Sequence, residues 1–340
     1  MCDLFPVQCG KRCTSARESI ILCIVDMKGS VTGAAGEVVK QPGEDCAIVQ
    51  LSDGLGNQLF QYAFALALSR QAGHPVMLDV SWFPEFGGRL RKATPRRFGL
   101  GVYQLSLPYV VPGTPDRMVY GTGFLGWLRK KSHRRRNFLR ERDADLSLEK
   151  LSSLPVPVVL RGFYQKACYA ESVRADLLRE YALDEAGLNA ANAEMLAAIR
   201  AAGPRAVMVH IRRGDYLNPN VAAVHGSCGA EYYQTAEALL EEQLGGPLHL
   251  FVFSDDPEWV LANYRTRNEM TPVAVNGPDD AHLDINLMRH CAHAIIANST
   301  FSWWGAWLID GPGKQVVAPA SWFADGRQVE GLLPREWVVM

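Results

Sequence analysis

Polar and charged side chains follow several short apolar runs in the C-terminal part of the chain. The run 206–211 is followed by two adjacent arginines, the run 248–253 is soon followed by two adjacent aspartates, and the run 294–297 by Asn-Ser-Thr-Phe. The residues concerned are His210, Arg212, Arg213, Asp255, Asp256, Asn298, Ser299, Thr300 and Phe301.

These residue types fit a diphosphate. Arginine presents a planar fork of donors suited to phosphate oxygens. Small hydroxyl residues that open a helix add free backbone N–H groups and the positive end of the helix dipole. Aspartates could accept hydrogen bonds from a ribose or a base. Each feature alone has an ordinary structural explanation, such as a surface ion pair or a helix cap. Only the combination of these features indicates a site for a nucleoside diphosphate.

The elements that would position these residues alternate between strand and helix. Such alternation predicts a doubly wound parallel sheet, in which ligands bind at the carboxyl ends of the strands. The predicted strands are 206–211, 248–253, 272–275, 294–297 and 315–318, and the predicted helices lie near 230–244, 257–264, 280–291 and 300–309.

The N-terminal part repeats the pattern once. A strand at 47–51, a glycine turn, an apolar helix through 59–68 and a strand at 76–79 form a predicted α/β unit. Turn-forming residues punctuate the chain before it. We therefore predict a flexible N-terminal extension over 1–45, an α/β domain over 46–200 and a second α/β domain over 201–340.

Composition is that of a globular chain. The 340 residues are 48 % apolar and 21 % charged with a net charge of −1, which excludes wholesale disorder and coiled coil and gives no chain-wide affinity for nucleic acid. The apolar run at 20–25 is too short to span a bilayer and lacks a signal-peptide cleavage pattern, so we expect a cytoplasmic protein. Five of the eight cysteines crowd the first 46 residues, and we expect free thiols.

A basic stretch lies between Trp127 and Arg142. Charge runs are usually solvated faces; the alternative is a patch that rests on anionic lipid at a membrane surface. We expect no nucleic acid partner, because no binding module accompanies the charges. The basic residues are Arg129, Lys130, Lys131, Arg134, Arg135, Arg136, Arg140 and Arg142.

Four motifs in order resemble those of the α-1,2-fucosyltransferases, glycosyltransferase family 11. They are GLGNQLFQYA at 54–63, HIRRGDY at 210–216, FSDD at 253–256 and NSTFSWWGAW at 298–307, within a resemblance that covers roughly 46 to 323. The resemblance implies a GT-B fold: two Rossmann-like domains facing a cleft, with the nucleotide on the C-terminal domain and the acceptor mostly on the side of the N-terminal domain. It also implies inverting transfer of L-fucose from GDP-β-L-fucose to O-2 of a terminal β-galactoside, without a metal or other cofactor.

The resemblance also implies roles for matched residues. Arg212 grips the diphosphate, with Arg213 and His210 as its companions. Asn57 lies across the cleft near the fucose. The other implied donor-binding residues are Asp255 or Asp256 near the guanosine and Asn298, Ser299, Thr300 and Phe301 at the phosphates.

The residue that removes the acceptor proton is open. A carboxylate or histidine must lie within reach of the acceptor hydroxyl. Asp215 and His210 are candidates, although Asp215 could instead orient the arginines. A dissociative path in which a phosphate oxygen takes the proton late is a third option.

Three other functions compete. Gly54 and Gly56 with Asp79 suggest an NAD-dependent oxidoreductase or epimerase, but Leu59 replaces the third glycine of that fingerprint. The two aspartates of the Asp-Ala-Asp sequence at 143–145 would suit a metal-dependent glycosyltransferase, although no apolar strand precedes them. A protein that binds sugar nucleotides or glycans without turnover is the third.

Overall fold

Two parallel β-sheets organise the protein. The structure is a computed structural model, and it describes residues 45–86, 88, 96–110, 113–131, 137–141, 147–213, 228–326 and 330–340, without the side chains of 129–131. Within these residues the first sheet consists of β1 (Ala47–Gln50), β2 (Val76–Asp79), β3 (Phe138–Arg140) and β4 (Val158–Arg161). The second consists of β5 (Ala206–Ile211), β6 (His249–Ser254), β7 (Glu269–Val273), β8 (His293–Ile295), β9 (Val316–Ala318) and β10 (Val338–Val339).

Helices join most of these strands and cover the sheets. Helix α1 directly follows the turn after β1, and its side chains are buried from Gln58 to Leu68, because the helix lies inside the molecule. The helices are α1 (Leu55–Gln71), α2 (Thr114–Tyr120), α3 (Gly123–Lys131), α4 (Leu148–Ser152), α5 (Ala167–Ser172), α6 (Arg174–Glu180), α7 (Ala190–Ala202), α8 (Ala230–Leu244), α9 (Pro257–Asn263), α10 (Ala281–Met288) and α11 (Thr300–Trp307).

The strand order of the second sheet is β10-β9-β8-β5-β6-β7, with parallel pairing throughout. The chain therefore builds outward from β5 through β6 to β7, and then returns to the other side of β5 to add β8, β9 and β10. This is the doubly wound arrangement, and its order reverses between β5 and β8. The prediction of a doubly wound parallel sheet in the C-terminal part is confirmed.

The first sheet has the order β2-β1-β4-β3 and is also parallel. The chain passes from β1 to β2 on one side and later places β4 on the other side of β1. The order of this sheet consequently reverses between β1 and β4. Two parallel α/β sheets, each with a reversal point, form the two Rossmann-like halves of a GT-B fold, so the predicted fold class is confirmed.

The apolar core runs through both halves. The rings of Phe60 in α1 and Trp303 in α11 have centroids 4.5 Å apart. The indole Nε1 of Trp304 donates a hydrogen bond of 3.1 Å to the backbone oxygen of Gly56. All three tryptophans of α11 are almost completely buried, so this helix joins the two sheets instead of facing solvent.

Two further expectations concern the whole chain. The described cysteines, Cys46, Cys168, Cys228 and Cys291, are free thiols, as predicted, while the remaining four lie outside the described residues. In the part of the chain that the structure describes, no helix has both the length and the apolar character needed to cross a bilayer. The predicted extension over 1–45 lies almost wholly outside the described residues.

Candidate active site

The carboxyl ends of β5 and β8 lie side by side where the order of the second sheet reverses. Val209 of β5 pairs with Ile295 of β8, so the segments that follow these strands emerge at one edge. They carry Arg212 and Arg213 after β5 and residues 298–301 after β8. Open α/β sheets bind ligands in the crevice at such a point. The structure thus brings the two predicted halves of a diphosphate site to one edge of one sheet.

The arginines after β5 are held by the aspartates after β6. Arg212 Nε lies 3.2 Å from Asp255 Oδ2, and Asp255 Oδ1 accepts a hydrogen bond of 2.8 Å from the backbone nitrogen of Arg213. Arg213 Nε donates to Asp256 Oδ2 at 3.2 Å, and its guanidinium carbon lies 3.8 Å from the centroid of the Trp259 ring. These contacts fix how both guanidinium groups lie. The aspartates that the sequence places near a nucleoside are thus arginine partners in this structure.

His210 lies beside these arginines and is buried in β5. Its ring centroid is 5.6 Å from that of Phe301, and its Nδ1 has no hydrogen-bond partner among the described residues. Burial, and then the charge of Arg212, lower the pKa of His210 to about 3 against a smaller opposing effect of Asp255. The imidazole is therefore neutral near pH 7, and it can form a hydrogen bond to a ligand without adding charge.

The opening of α11 supplies backbone donors. Ser299 Oγ caps the helix by accepting a hydrogen bond of 3.3 Å from the backbone nitrogen of Phe301. Asn298 is buried, and its Nδ2 donates to the backbone oxygen of Trp322 at 3.2 Å, which anchors the segment before the helix. The first N–H groups of a helix lack partners within it and carry the positive end of its dipole. This opening can bind an anion.

The opening of α1 touches the opening of α11. A β-carbon built on Gly56 would lie 2.6 Å from both the backbone nitrogen of Phe301 and Oγ1 of Thr300. Only glycine allows an approach this close. The residue after it, Asn57, accepts a hydrogen bond of 2.8 Å on its Oδ1 from Nε2 of Gln165. The predicted fucose-side asparagine thus lies next to the predicted phosphate-side helix opening.

Other sequence candidates either fall outside the described residues or have a different structural role. Asp215, proposed as a base, and the pair at 143–145 fall outside the described residues. Asp79, the ribose-binding acid of the dinucleotide hypothesis, is buried; it accepts hydrogen bonds from Gln50 Nε2 at 2.8 Å and from the backbone nitrogen of Ser81 at 2.9 Å. No group of three or more His, Cys, Asp or Glu among the described residues could hold a metal ion.

Two contributors to this region were missed by sequence reasoning. Trp259 stacks on Arg213. In the sequence, only its position three residues after Asp256 indicates that it could lie near the arginines. Gln165 follows β4, a strand that is absent from the predicted elements. The apolar run before Arg161, followed by Gly162, could have revealed it.

Comparison with known proteins gives a family match. The sequence model of glycosyl transferase family 11 matches residues 130–340. Among curated proteins, the O-antigen biosynthesis glycosyltransferase WbnK of Escherichia coli is 30 % identical over 309 residues, which are 85 % of this chain and 98 % of WbnK.

Two other relatives differ in the sugar that their names specify. An alpha-1,2-colitosyltransferase of Escherichia coli is 30 % identical over 285 residues, covering 81 % of this chain and 92 % of that protein. Galactoside alpha-(1,2)-fucosyltransferase 2 of Oryctolagus cuniculus is 24 % identical over 306 residues, covering 87 % of this chain and 77 % of that protein.

Proposed function

The chain belongs to glycosyltransferase family 11, and from this premise we propose that it transfers L-fucose from GDP-β-L-fucose to O-2 of a terminal β-galactoside. The proposed partners are therefore this sugar nucleotide and a galactose-terminated glycan. The rabbit relative named as a galactoside alpha-(1,2)-fucosyltransferase supports transfer of a fucosyl group to a galactoside in this linkage.

One observation carries the proposal: Arg212 and the opening of α11 lie at the β5–β8 reversal, and the opening of α1 lies directly against α11. His210, two residues before Arg212, has its ring 5.6 Å from Phe301 in the first turn of α11. Gly56 makes the approach between the helix openings possible. A cationic fork and a helix opening can together neutralise a diphosphate, while Asn57 at the opening of α1 would lie next to the sugar attached to it.

In the proposed reaction the acceptor O-2 attacks the anomeric carbon as the bond from that carbon to the diphosphate oxygen breaks. Attack from the opposite face inverts the configuration. Arg212 and the α11 N–H groups stabilise the charge that develops on GDP, and donors held ready in this way are a large source of rate enhancement. We propose that they do so without a metal ion or other cofactor.

The acceptor hydroxyl must lose its proton during this attack. Asp215, which follows the arginines in sequence, is our proposed base. His210 is the other candidate, and with its pKa lowered to about 3 it is no stronger a base than an ordinary aspartate. If Asp215 is the base, Asp215→Asn should remove one limb of the pH–rate profile; unchanged limbs would exclude it from this role.

The colitosyltransferase relative supports a second candidate donor. Its sugar, colitose, is a 3,6-dideoxyhexose, so the two donors would differ at the 3-hydroxyl group. Incubation with lactose, with GDP-fucose and GDP-linked colitose in parallel, separates the candidates by comparing kcat/KM for each donor.

The deciding experiment uses GDP-fucose, lactose and EDTA, with assignment of the product linkage by NMR. We expect an α-1,2-fucosylated product in EDTA at the same rate as with added Mg²⁺. A different linkage would refute the acceptor position. Loss of activity in EDTA that is restored by a divalent ion would refute metal independence, and binding of GDP-fucose without turnover of any galactoside would favour a non-catalytic binding protein.

We also propose that the protein rests on anionic membranes. Phe124, Leu125 and Trp127 of α3 are 71 %, 64 % and 54 % exposed, and the rings of Phe124 and Trp127 stack with centroids 5.8 Å apart. The same helix ends in Arg129, Lys130 and Lys131. Exposed apolar side chains next to basic residues fit the interface of an anionic bilayer. Within the basic stretch at 129–142, residues 132–136 and 142 and the side chains of 129–131 lie outside what the structure describes.

Sedimentation with phosphatidylglycerol vesicles and with phosphatidylcholine vesicles tests this contact. We expect binding to the anionic vesicles only, and at least a tenfold weaker association, about 1.4 kcal/mol, for the Phe124→Ser/Trp127→Ser variant. Leu261→Ser, another exposed apolar position, is the control. Equal binding of both variants, or transfer to soluble lactose lost together with vesicle binding, would contradict the proposal.

A further inference from the structure

The first sheet has a reversal point of its own, between β1 and β4. The chain leaves β1 toward α1, and it leaves β4 through the turn Gly162–Gln165. Val49 and Leu160 pair near the ends of these strands, so the two exits are neighbours. The crevice at such a reversal is where an open α/β sheet takes a ligand. The proposed diphosphate-binding residues, Arg212 and the opening of α11, belong to the second half, which leaves the exit of β4 without an assigned role.

The turn Gly162–Gln165 is held by contacts along its backbone. The Glu141 carboxylate accepts hydrogen bonds from the backbone nitrogens of Phe163 at 2.7 Å and Tyr164 at 3.1 Å. Gln61 Nε2 donates to the backbone oxygen of Gly162 at 2.9 Å. A β-carbon on Gly162 would lie 2.5 Å from Cβ of Glu141, so the turn requires glycine there. These contacts hold the backbone of the turn in place.

The same turn contains an unusual backbone angle and an unusual exposure. Tyr164 has φ +53°, a left-handed conformation that is costly for a bulky residue and clusters at ligand sites. Its buried ring compensates by stacking on Phe64 with centroids 3.8 Å apart. The neighbouring residue Phe163, by contrast, is an exposed aromatic residue, with 42 % of its surface accessible. The turn therefore anchors one aromatic ring in the core and leaves the next one accessible.

Gln165 connects this turn to the candidate site. Its Nε2 donates to Asn57 Oδ1 at 2.8 Å, which fixes the orientation of the Asn57 amide. No described residue accepts a hydrogen bond from Nδ2 of Asn57. That N–H₂ group is consequently the part of Asn57 available to a ligand beside the opening of α11.

We infer that the turn Gly162–Gln165 is the acceptor subsite: a pyranose ring of the acceptor stacks on Phe163, while Gln165 is a positioning residue that orients Asn57 toward the reacting sugars. The inference rests on the proposed function and specifies where its acceptor binds. A galactose-type ring has one face lined by C–H groups, and such a face packs well on an exposed aromatic ring. Its hydroxyl groups would meet the polar groups of Asn57 and Gln165.

The stacking role is tested with Phe163→Ala, the ring-preserving Phe163→Tyr, and the control Leu261→Ala. In transfer to lactose, Phe163→Ala should raise the acceptor KM about tenfold. Its donor KM and the unfolding temperature should not change. Phe163→Tyr should restore the acceptor KM to within about twofold. An acceptor KM unchanged in Phe163→Ala would overturn the stacking role.

The positioning role of Gln165 is tested by a double-mutant cycle with Asn57. Gln165→Ala should lower kcat about tenfold with little change in the donor KM, because the Asn57 amide loses its fixed orientation. If Gln165 acts through Asn57, the double variant Asn57→Ala/Gln165→Ala should be no slower than Asn57→Ala alone. Additive losses in kcat would show that Gln165 does not act through Asn57.

A measurement without turnover separates this inference from the proposed reaction. Saturation-transfer NMR with lactose and GDP should show contact of the galactose ring with wild-type protein and loss of that contact in Phe163→Ala. Contact in the wild type without any fucose transfer would refute the reaction but keep the subsite. Contact that persists in Phe163→Ala, or that is absent from the wild type, would overturn the subsite.

Discussion

Gly56 and Phe301 approach each other so closely that a β-carbon on Gly56 would lie 2.6 Å from the backbone nitrogen of Phe301. Gly56 belongs to α1 of the first half and Phe301 to α11 of the second. The openings of the two helices are therefore in direct backbone contact. Because residues on both openings are proposed to handle the donor sugar, the spacing between these helices sets the geometry of the site.

Gly56→Ala should force α1 and α11 apart. Backbone atoms cannot move aside as a flexible side chain would, so we expect destabilisation of about 1–3 kcal/mol, as for other overpacked cores. The displacement of Asn57 from the phosphate side should also reduce kcat, by about 10² for a shift near 1 Å. Thermal unfolding and steady-state transfer measure the two effects.

Gly73→Ala is the matched control for this substitution. Nothing lies within 4 Å of a β-carbon on Gly73, so the variant should match the wild type in both unfolding and turnover. Equal behaviour of the two alanine variants would show that the contact between the helix openings tolerates a methyl group and does not set the site geometry.

Arg212→Ala should abolish measurable transfer while the protein stays folded. The proposed charge stabilisation resembles that of other preorganised donors, whose removal costs about 10²–10³ in rate. Arg212→Lys should also fail, because an ammonium group cannot replace the planar fork that Asp255 holds at 3.2 Å. Turnover is measured with GDP-fucose and lactose, and folding by circular dichroism.

The comparison variant for Arg212 is Arg70→Ala. Arg70 forms an exposed ion pair with Asp176 at 2.7 Å, and such pairs contribute little. Near-normal turnover in Arg212→Ala would contradict the proposed role of this arginine. A parallel loss in Arg70→Ala would indicate a general sensitivity to removal of surface charge.

Short-range patterns predicted much of the second sheet. The strand 206–211 has the predicted bounds, because six buried apolar or neutral residues form the centre of the sheet. The strand predicted at 272–275 instead spans Glu269–Val273, with Pro272 inside it. A proline is tolerated there because β7 is an edge strand that has a neighbour on one side only, a fact of topology that the local sequence does not carry.

Only the part of the candidate site that belongs to the second sheet could be predicted as a group of residues. Arg212, the Asp255 pair and residues 298–301 could be grouped, because parallel strands bring their carboxyl ends to one edge. The contact between Gln165 and Asn57 joins positions 108 residues apart, across a stretch in which prolines, glycines and charges obscure the periodicity. Which long-range pair forms depends on the order of the first sheet, and that order follows from packing.

Asp284, in the second half of the protein, is a carboxyl group whose pKa lies unusually close to neutral pH. Burial raises its pKa to about 6, with the charge of Asp280 adding to this and a hydrogen bond from Asn276 opposing it. Asn276 Nδ2 donates to Asp284 Oδ1 at 2.8 Å, and also to Asn192 Oδ1 at 3.0 Å. Asp284 therefore holds a polar junction between α7, α10 and the segment after β7.

Asp284→Asn should make the free energy of unfolding less sensitive to rising pH. Because the carboxyl pKa is higher in the folded than in the unfolded state, the wild type loses unfolding free energy as pH rises from about 4 through 6, by up to about 1.4 kcal/mol per pH unit. The asparagine keeps an acceptor for Asn276 and cannot ionise, so the variant should gain on the wild type over that window. Urea unfolding at several pH values measures the difference.

Asp176→Asn should behave oppositely. The pKa of Asp176 is lowered by Arg179 and Arg70, so that variant should be less stable at neutral pH and approach the wild type on acidification. A difference between Asp284→Asn and the wild type that does not change with pH would contradict the raised pKa.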